Sequence, residues 1–348
     1  MQNNTVRSQA LTSFTLKRSM MTQGVLLLGL SSALCLSVFS GGALAAGQAI
    51  KESRNVSGSE RIYIENMRGN VVIETVKGNT FSVEGTLDEK ADGFELSSRE
   101  GRTKFVVQTP KMNGWSWDDS DEKQQQQGSQ LTIKVPVGAH IEFKGVSSNV
   151  TISNVQGSSE IESVNGVITA TALKQKVSLQ TVNGTIVSRE LDGRIKLTTV
   201  NGEIDDQGSK GELTLDAVNG DIDSKTKART VTANVVNGDV ALTLDGTEAL
   251  EMNAVNGDLD ATWLNQTAPK AEVSTVSGDA ELIVSKALDA SIEMTASAGG
   301  DLRNGLTAQS ANKAKYGPMR DLNFVVGQGK GRIDMTTVSG DLELKYQP

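Results

Sequence analysis

Side chains suited to covalent or acid–base chemistry are few in this chain, and they do not cluster. There is one histidine, His140, and one cysteine, Cys35. A histidine-based triad would have to use His140, which follows Val135-Pro136-Val137-Gly138-Ala139 at the start of an expected strand, with no nucleophile beside it. A surface histidine with a satisfied ring is the expectation. Walker, H-E-x-x-H and G-x-S-x-G patterns are missing. Carboxylates are plentiful, so an acidic pair of the kind that cleaves glycosidic bonds stays open as a third reading. No catalytic residue, metal ligand or cofactor is expected. The candidate binding residues are Trp115, Trp117, Asp118 and Asp119, in a long loop over residues 111–130 that continues into an acidic, glutamine-rich stretch. Paired indoles beside carboxylates could stack on a sugar or a peptide, and long loops on rigid scaffolds often carry function.

The element that must position any such loop is a repeat. Val-Asn-Gly recurs as Val164-Asn165-Gly166, Val182-Asn183-Gly184, Val200-Asn201-Gly202, Val218-Asn219-Gly220, Val236-Asn237-Gly238 and Val255-Asn256-Gly257, followed by the relative Val276-Ser277-Gly278. The first five starts lie 18 residues apart, and the next two steps are 19 and 21. A fixed short period implies one unit stacked on itself. Within a unit, Ile195, Leu197 and Thr199 alternate with Arg194, Lys196 and Thr198, the pattern of a half-buried strand. The alternation slips at Val200, and Asn201-Gly202 marks a corner, because glycine takes positive φ freely and asparagine tolerates it. Weaker turns near Gly157, Gly193 and Gly211 divide each unit into two arms of about nine residues. Asn-Gly is also a hairpin signal, but a meander needs no constant period. The expected fold is therefore all-β: a single-stranded parallel β-helix, or β-solenoid, with about 18 residues per coil and irregular β caps at both ends.

In that register the asparagines form a ladder, each amide bonding the ones above and below. The residue after each glycine drifts to aspartate at Asp221, Asp239, Asp258, Asp279, Asp301 and Asp341. Stacked like charges should face water. The double-glycine pattern of calcium-binding nonapeptide repeats is missing.

Residues 1–45 read as a cleaved signal peptide, with Arg7, Lys17 and Arg18 before an apolar run and cleavage after Ala45 of Ala43-Leu44-Ala45. The run is short for a membrane span, and Leu34 is too large for a lipoprotein site ahead of Cys35. No transmembrane span is expected in the mature chain, and no thiol. Removing those three cations leaves 31 Lys and Arg against 42 Asp and Glu, a net charge of −11, which argues against nucleic acid as a partner. Residues 46–145 are read as an N-terminal β cap containing the 111–130 loop, 146–302 as regular repeats, and 303–348 as a C-terminal coil and cap.

The exported start, the strand Leu131-Thr132-Ile133-Lys134-Val135-Pro136, the serial corners and the closing Thr337-Val338-Ser339-Gly340-Asp341-Leu342 together resemble a bacterial β-strand-repeat family labelled "putative adhesin", domain of unknown function 4097. The resemblance covers roughly residues 55 to 346. It implies a cell-envelope β-solenoid and carries no catalytic or binding residues across. The leading expectation is a non-enzymatic adhesin-like scaffold in the periplasm or at the surface of a bacterium, binding polysaccharide, peptidoglycan or protein. The alternative is a periplasmic envelope-stress sensor that binds cationic peptides; a carbohydrate-active β-helix enzyme ranks third.

Overall fold

Alternation governs the whole chain. The protein's structure is a computed structural model that describes residues 47–109 and 128–348, which hold strands and turns and no helix. These residues fall within one compact unit, Ala45–Pro348. In the strand Asp192–Asn201, Ile195, Leu197 and Thr199 are buried while Arg194 and Lys196 are exposed. The same phase recurs in Lys174–Asn183 and Ile204–Asn219.

Neighbouring strands run parallel, and residues one period apart are in register. Val177 lies opposite Ile195 and Leu179 opposite Leu197; Ile195 in turn faces Leu213, and Leu197 faces Leu215. After the corner, Ile186 pairs with Ile204 and Ile204 with Ile222. An Asn-Gly hairpin would instead have folded Ile204 back antiparallel on the strand before it. The single hydrophobic core is made of the inward columns of both arms, including Val177, Ile195, Leu213, Val231 and Leu250. Burying each such aliphatic side chain is worth roughly 1.5–3 kcal/mol, so stability grows with every repeat added to the stack.

Both ends break the sequential order in the same way. The strand Arg61–Val76 has the two-arm form of a repeat and lies between His140–Ser153 on one side and Arg102–Gln108 plus Ser129–Pro136 on the other, all parallel. Antiparallel strands then cover the outer edge: Gly93–Arg99 on Arg102–Gln108, Thr80–Thr86 on Ser129–Pro136, and Ala49–Asn55 on Thr80–Thr86. At the other end the last repeat in sequence is not the last in the stack. Gly331–Ser339 inserts between Lys270–Ser277 and Ala290–Ala296, whose far edge is covered by antiparallel Arg320–Val326. Covering open strand edges in this way removes templates for pairing with other chains.

Candidate functional site

The Val-Asn-Gly corner organises the most regular surface of the molecule. In Thr198-Thr199-Val200-Asn201, Thr199 points inward and its hydroxyl donates to the carbonyl of Gly184 at 3.3 Å. Ser163 anchors the corresponding position two repeats earlier to the carbonyl of Ser148 at 2.8 Å. With that side chain fixed inside, the residues on either side of it both face out. The valines therefore stack as an exposed apolar stripe, with Val218, Val236, Val255, Val276 and Val338 at 39–47% exposure. Opposite them runs a polar row in which Asn234 donates to Asp216 at 2.8 Å and Asn253 donates to Asn234 at 3.0 Å. Between the two rows lies a shallow groove of about 390 Å³ that crosses four repeats, from Thr198 and Val200 to Asn253 and Val255.

Beyond the valines stands the asparagine row. Asn183 donates to Asn165, Asn201 to Asn183, Asn219 to Asn201, Asn237 to Asn219 and Asn256 to Asn237, each through Nδ2 to Oδ1 at 2.8–2.9 Å. The bonds are made at the surface: Asn183, Asn201, Asn219, Asn237 and Asn256 are exposed, and Asn165 is half-buried.

The glycines are fixed by contact. A Cβ on Gly220 would lie 1.9 Å from the carbonyl oxygen of Gly202, and one on Gly202 would lie 2.0 Å from that of Gly184. The same holds for Gly238, Gly257 and Gly278, and for Gly184, which has no positive φ in the left-handed range. Close approach of successive backbones is thus the condition shared by all of them, including Gly166 over Ser148.

The aspartates after the glycines are exposed from Asp221 to Asp301, Asp341 being half-buried, and they also accept hydrogen bonds. The backbone N–H of Asp239 donates to the Asp221 carboxylate, Asp258 to Asp239 and Asp279 to Asp258, at 2.8–2.9 Å. The series continues from Asp341 to Asp279 and from Asp301 to Asp341, following the inserted order of the final repeats. Nearer the N-terminus the row is made of amides: Val167 N–H donates to Asn149, which bonds Asn70. The carboxylates of Asp221, Asp239, Asp258, Asp279 and Asp341 therefore each tie one repeat to the next.

These corner features extend along the region that one known protein family covers. The family Toastrack DUF4097 matches residues 59–345. The chain belongs to this family. No functionally curated protein matches the chain. Among solved structures, a "putative adhesin" from Bacteroides fragilis is 14% identical, covering 88% of this chain and 100% of its own, at a TM-score of 0.37. A "putative lipid binding protein" from Parabacteroides distasonis is 12% identical, covering 86% and 98%, at a TM-score of 0.40. A "putative cell adhesion protein" from Clostridium sporogenes is 10% identical, covering 86% and 100%, at a TM-score of 0.20.

The other candidate residues of this Toastrack chain fall as follows. Trp115, Trp117, Asp118 and Asp119 lie outside the described residues, as does Ala45. The third tryptophan, Trp263, is in the core, its indole N–H donating to the Thr247 carbonyl at 2.8 Å. His140 Nδ1 is 2.8 Å from the Ser158 hydroxyl and accepts the Ser158 backbone N–H at 3.1 Å. On the outer face of the second arm, Asp260 sits in register with Glu281, and Lys345 pairs with Glu281 at 2.5 Å. Burial and the neighbouring Glu281, Asp258 and Asp239 push the Asp260 carboxyl up. The groove beside the valines does not include this pair.

Sequence reasoning missed two features. One is the outward turn of the valines, signalled by the slip in alternation beside a residue type normally assigned to the core. The other is Asp206, a fully buried carboxylate that accepts from Ser188, Ser209 and Ser224. Burial raises its pKa while the three hydroxyls pull it back. Ser188 and Ser224 occupy the equivalent position one repeat before and after, so alignment at the period would have exposed it.

Proposed function

We propose that this chain is a non-enzymatic binding scaffold: a single-stranded parallel β-solenoid of about 18 residues per coil that engages an extended macromolecule along its corner face. The observation that carries this reading is the groove between the valine stripe and the Asp216–Asn234–Asn253 row. Its surface is largely apolar, with the mutually bonded Asp216, Asn234 and Asn253 along one rim, and it repeats at the strand spacing of about 4.8 Å. That combination suits a linear polymer with alternating apolar and hydrogen-bonding faces, such as an envelope polysaccharide, peptidoglycan or an unfolded protein segment. Isolated exposed valines are common on protein surfaces; a contiguous column of them is a mark of an interaction site.

In this reading the chain is exported, with residues 1–45 removed after Ala45 and the remainder working in the periplasm or at the cell surface. Residues 46–145 and 303–348 cap the coils of 146–302. The loop at 111–130, with Trp115, Trp117, Asp118 and Asp119, supplies a second contact. No helix among the described residues is long and apolar enough to cross a membrane.

The test is binding of purified peptidoglycan sacculi, a neutral soluble polysaccharide and an unfolded polypeptide to the full chain and to a Val218→Glu, Val236→Glu variant. Both valines are exposed, so the variant should melt with the native chain. The groove reading expects at least one probe to bind with little salt dependence and to lose binding about tenfold in the variant. Binding to none of them, or equal binding by both chains, would remove it.

A second reading, a sensor of cationic peptides, is favoured by the acidic row from Asp221 to Asp301 beside the valines. It expects a polylysine probe to bind, to weaken as salt rises, and to fail against Asp239→Asn, Asp258→Asn.

A further inference from the structure

We propose that the outer face of the first-arm sheet, at its N-terminal end, is a binding site for a linear anionic polysaccharide. The site is separate from the valine groove and does not depend on it. One outward row crosses six neighbouring strands in register. Arg102 lies opposite Arg61 and Arg61 opposite His140. The pairings of Ile141 and Val177 with Ser159 carry the row through Ser158 to Lys176, and Lys176 faces Arg194. Four of these six residues, Arg102, Arg61, Lys176 and Arg194, are cationic, in a chain whose net charge is −8.

This row lacks the structural explanation that the acidic one has. Every carboxylate from Asp221 to Asp279 accepts a backbone N–H from the next repeat. Arg61, Arg102 and Lys176, by contrast, are exposed and have no carboxylate within ion-pair distance among the described residues, whereas Arg194 is paired with Glu212 at 3.2 Å. Like charges on adjacent strands repel, so the unliganded face carries an electrostatic cost that an anionic partner relieves.

The shape and the remaining lining select the class of anion. Arg102, Arg61, His140, Ser158 and Lys176 line one side of a groove of about 760 Å³ that also contains Tyr63, Glu142, Glu160 and Ser178. Tyr63 and His140 are the aromatic rings there; the Tyr63 hydroxyl is committed to Glu65 at 2.7 Å and the His140 ring to Ser158 at 2.8 Å. Two rings tied to their neighbours make no run of stacking platforms for successive bases. Glu142, loosely paired with Lys144 at 3.5 Å, and Glu160 stand among the cations. The same carboxylates and the serine hydroxyls accept hydrogen bonds from sugar hydroxyls. A polymer lying across the strands meets a new position of the row every 4.8 Å or so, which suits a chain with a carboxylate on each sugar or on every second one.

The experiment uses the full chain and polygalacturonate as probe, with neutral dextran and a single-stranded oligonucleotide as comparisons. The proposal expects polygalacturonate to bind at low ionic strength, dextran not to bind, and affinity to fall steeply with salt. Arg61→Gln, Arg102→Gln, Lys176→Gln together should weaken binding more than tenfold while leaving the melting temperature unchanged. Arg332→Gln removes a cation that Asp334 and Glu293 already neutralise and should change little. Absence of polygalacturonate binding, or retention of it in the triple variant, overturns the site. Loss of it in Val218→Glu, Val236→Glu would move the contact to the corner and overturn it too. An oligonucleotide bound as tightly as polygalacturonate would overturn the choice of a glycan.

Discussion

The two turns of each repeat solve the same geometric problem under different constraints. At the Val-Asn-Gly corner, successive backbones approach so closely that a Cβ on Gly220 would sit 1.9 Å from a carbonyl oxygen. Every repeat stacked above Ser148, from Gly166 onward, meets that condition with glycine. At the second turn the left-handed residue is Asn154, Ala172, Glu190 or Gly208, with φ between 53° and 76°. A Cβ on Gly208 would approach nothing nearer than 3.6 Å. Three residues further on the backbones close again, at Gly157, Gly193 and Gly211, yet there the column accepts Gln175 at φ 66° and shifts register between Gly211 and Glu212. A turn with room can change its residues from repeat to repeat. A turn closed by backbone contact cannot.

The largest expected effect breaks that contrast directly. Gly220→Ala should cost more than about 3 kcal/mol, because the methyl group collides with fixed backbone and the residue is held at φ 149°. Gly208→Ala should cost only about 1 kcal/mol, the ordinary penalty of a left-handed residue with a side chain. Urea unfolding of both variants measures the difference. Equal losses would show that φ, and not backbone approach, dictates glycine at the corner.

The same contrast explains what the sequence disclosed. Asn201, Gly202 and their equivalents are legible because contact with the preceding repeat leaves no other choice, so the pattern recurs at a readable interval. Parallel, in-register stacking follows from that interval. Ala172 and Glu190 were not legible as left-handed residues, since nothing in their type signals positive φ. The insertion of Gly331–Ser339 beside Lys270–Ser277 pairs residues 62 positions apart, and no local feature announces such a partner. At the candidate site the slip in alternation at Val200 was legible, but the outward stripe was not, because the fixed Thr199 hydroxyl that turns Val200 out is seen only in the structure. The acidic row looked like solvated charge; its second role, accepting backbone N–H groups, needs coordinates to be seen.

Asp206 stands where the second arm enters the second turn and sharpens the comparison there. Its carboxylate reaches across the turn to Ser209 as well as to Ser188 and Ser224, so a side-chain cluster holds at this repeat what backbone contact holds at the other corner. Asp206→Ala should lose about 2–4 kcal/mol, leaving buried hydroxyls without an acceptor. Its effect on pH dependence has a definite sign. Burial raises the folded pKa above the ordinary 3.8, so the folded state holds this proton more tightly than the unfolded chain. The stability contributed by protonation is therefore present at acid pH below the unfolded value and is lost as pH rises through the folded one. Asp206→Ser, which continues the serine column, should remove that decline. A native-minus-variant stability difference that stays flat from pH 3 upward would contradict the raised pKa.

A smaller effect tests the amide ladder. Asn219→Ala removes one bond given to Asn201 and one received from Asn237. Because both are solvent-exposed, water replaces much of what is lost, and the expected cost is about 0.5–1 kcal/mol. A cost near that of Gly220→Ala would mean that the ladder, rather than close backbone approach, closes the corner.

The smallest change runs in the opposite direction. Glu190→Gly relieves a residue held at φ 54°, a conformation that costs an L side chain roughly 1–2 kcal/mol. Glycine returns part of that gain through the greater freedom of the unfolded chain, about 0.5–1 kcal/mol. A net stabilisation of up to about 1 kcal/mol is expected, readable as a small rise in the urea midpoint. The corresponding experiment does not exist in the Val-Asn-Gly repeats of the first corner, since from Gly166 onward that column already contains glycine. If Glu190→Gly instead destabilised the chain, the second turn would be relying on the side chain at 190, and its variability from repeat to repeat would reflect choices specific to each position rather than spare room.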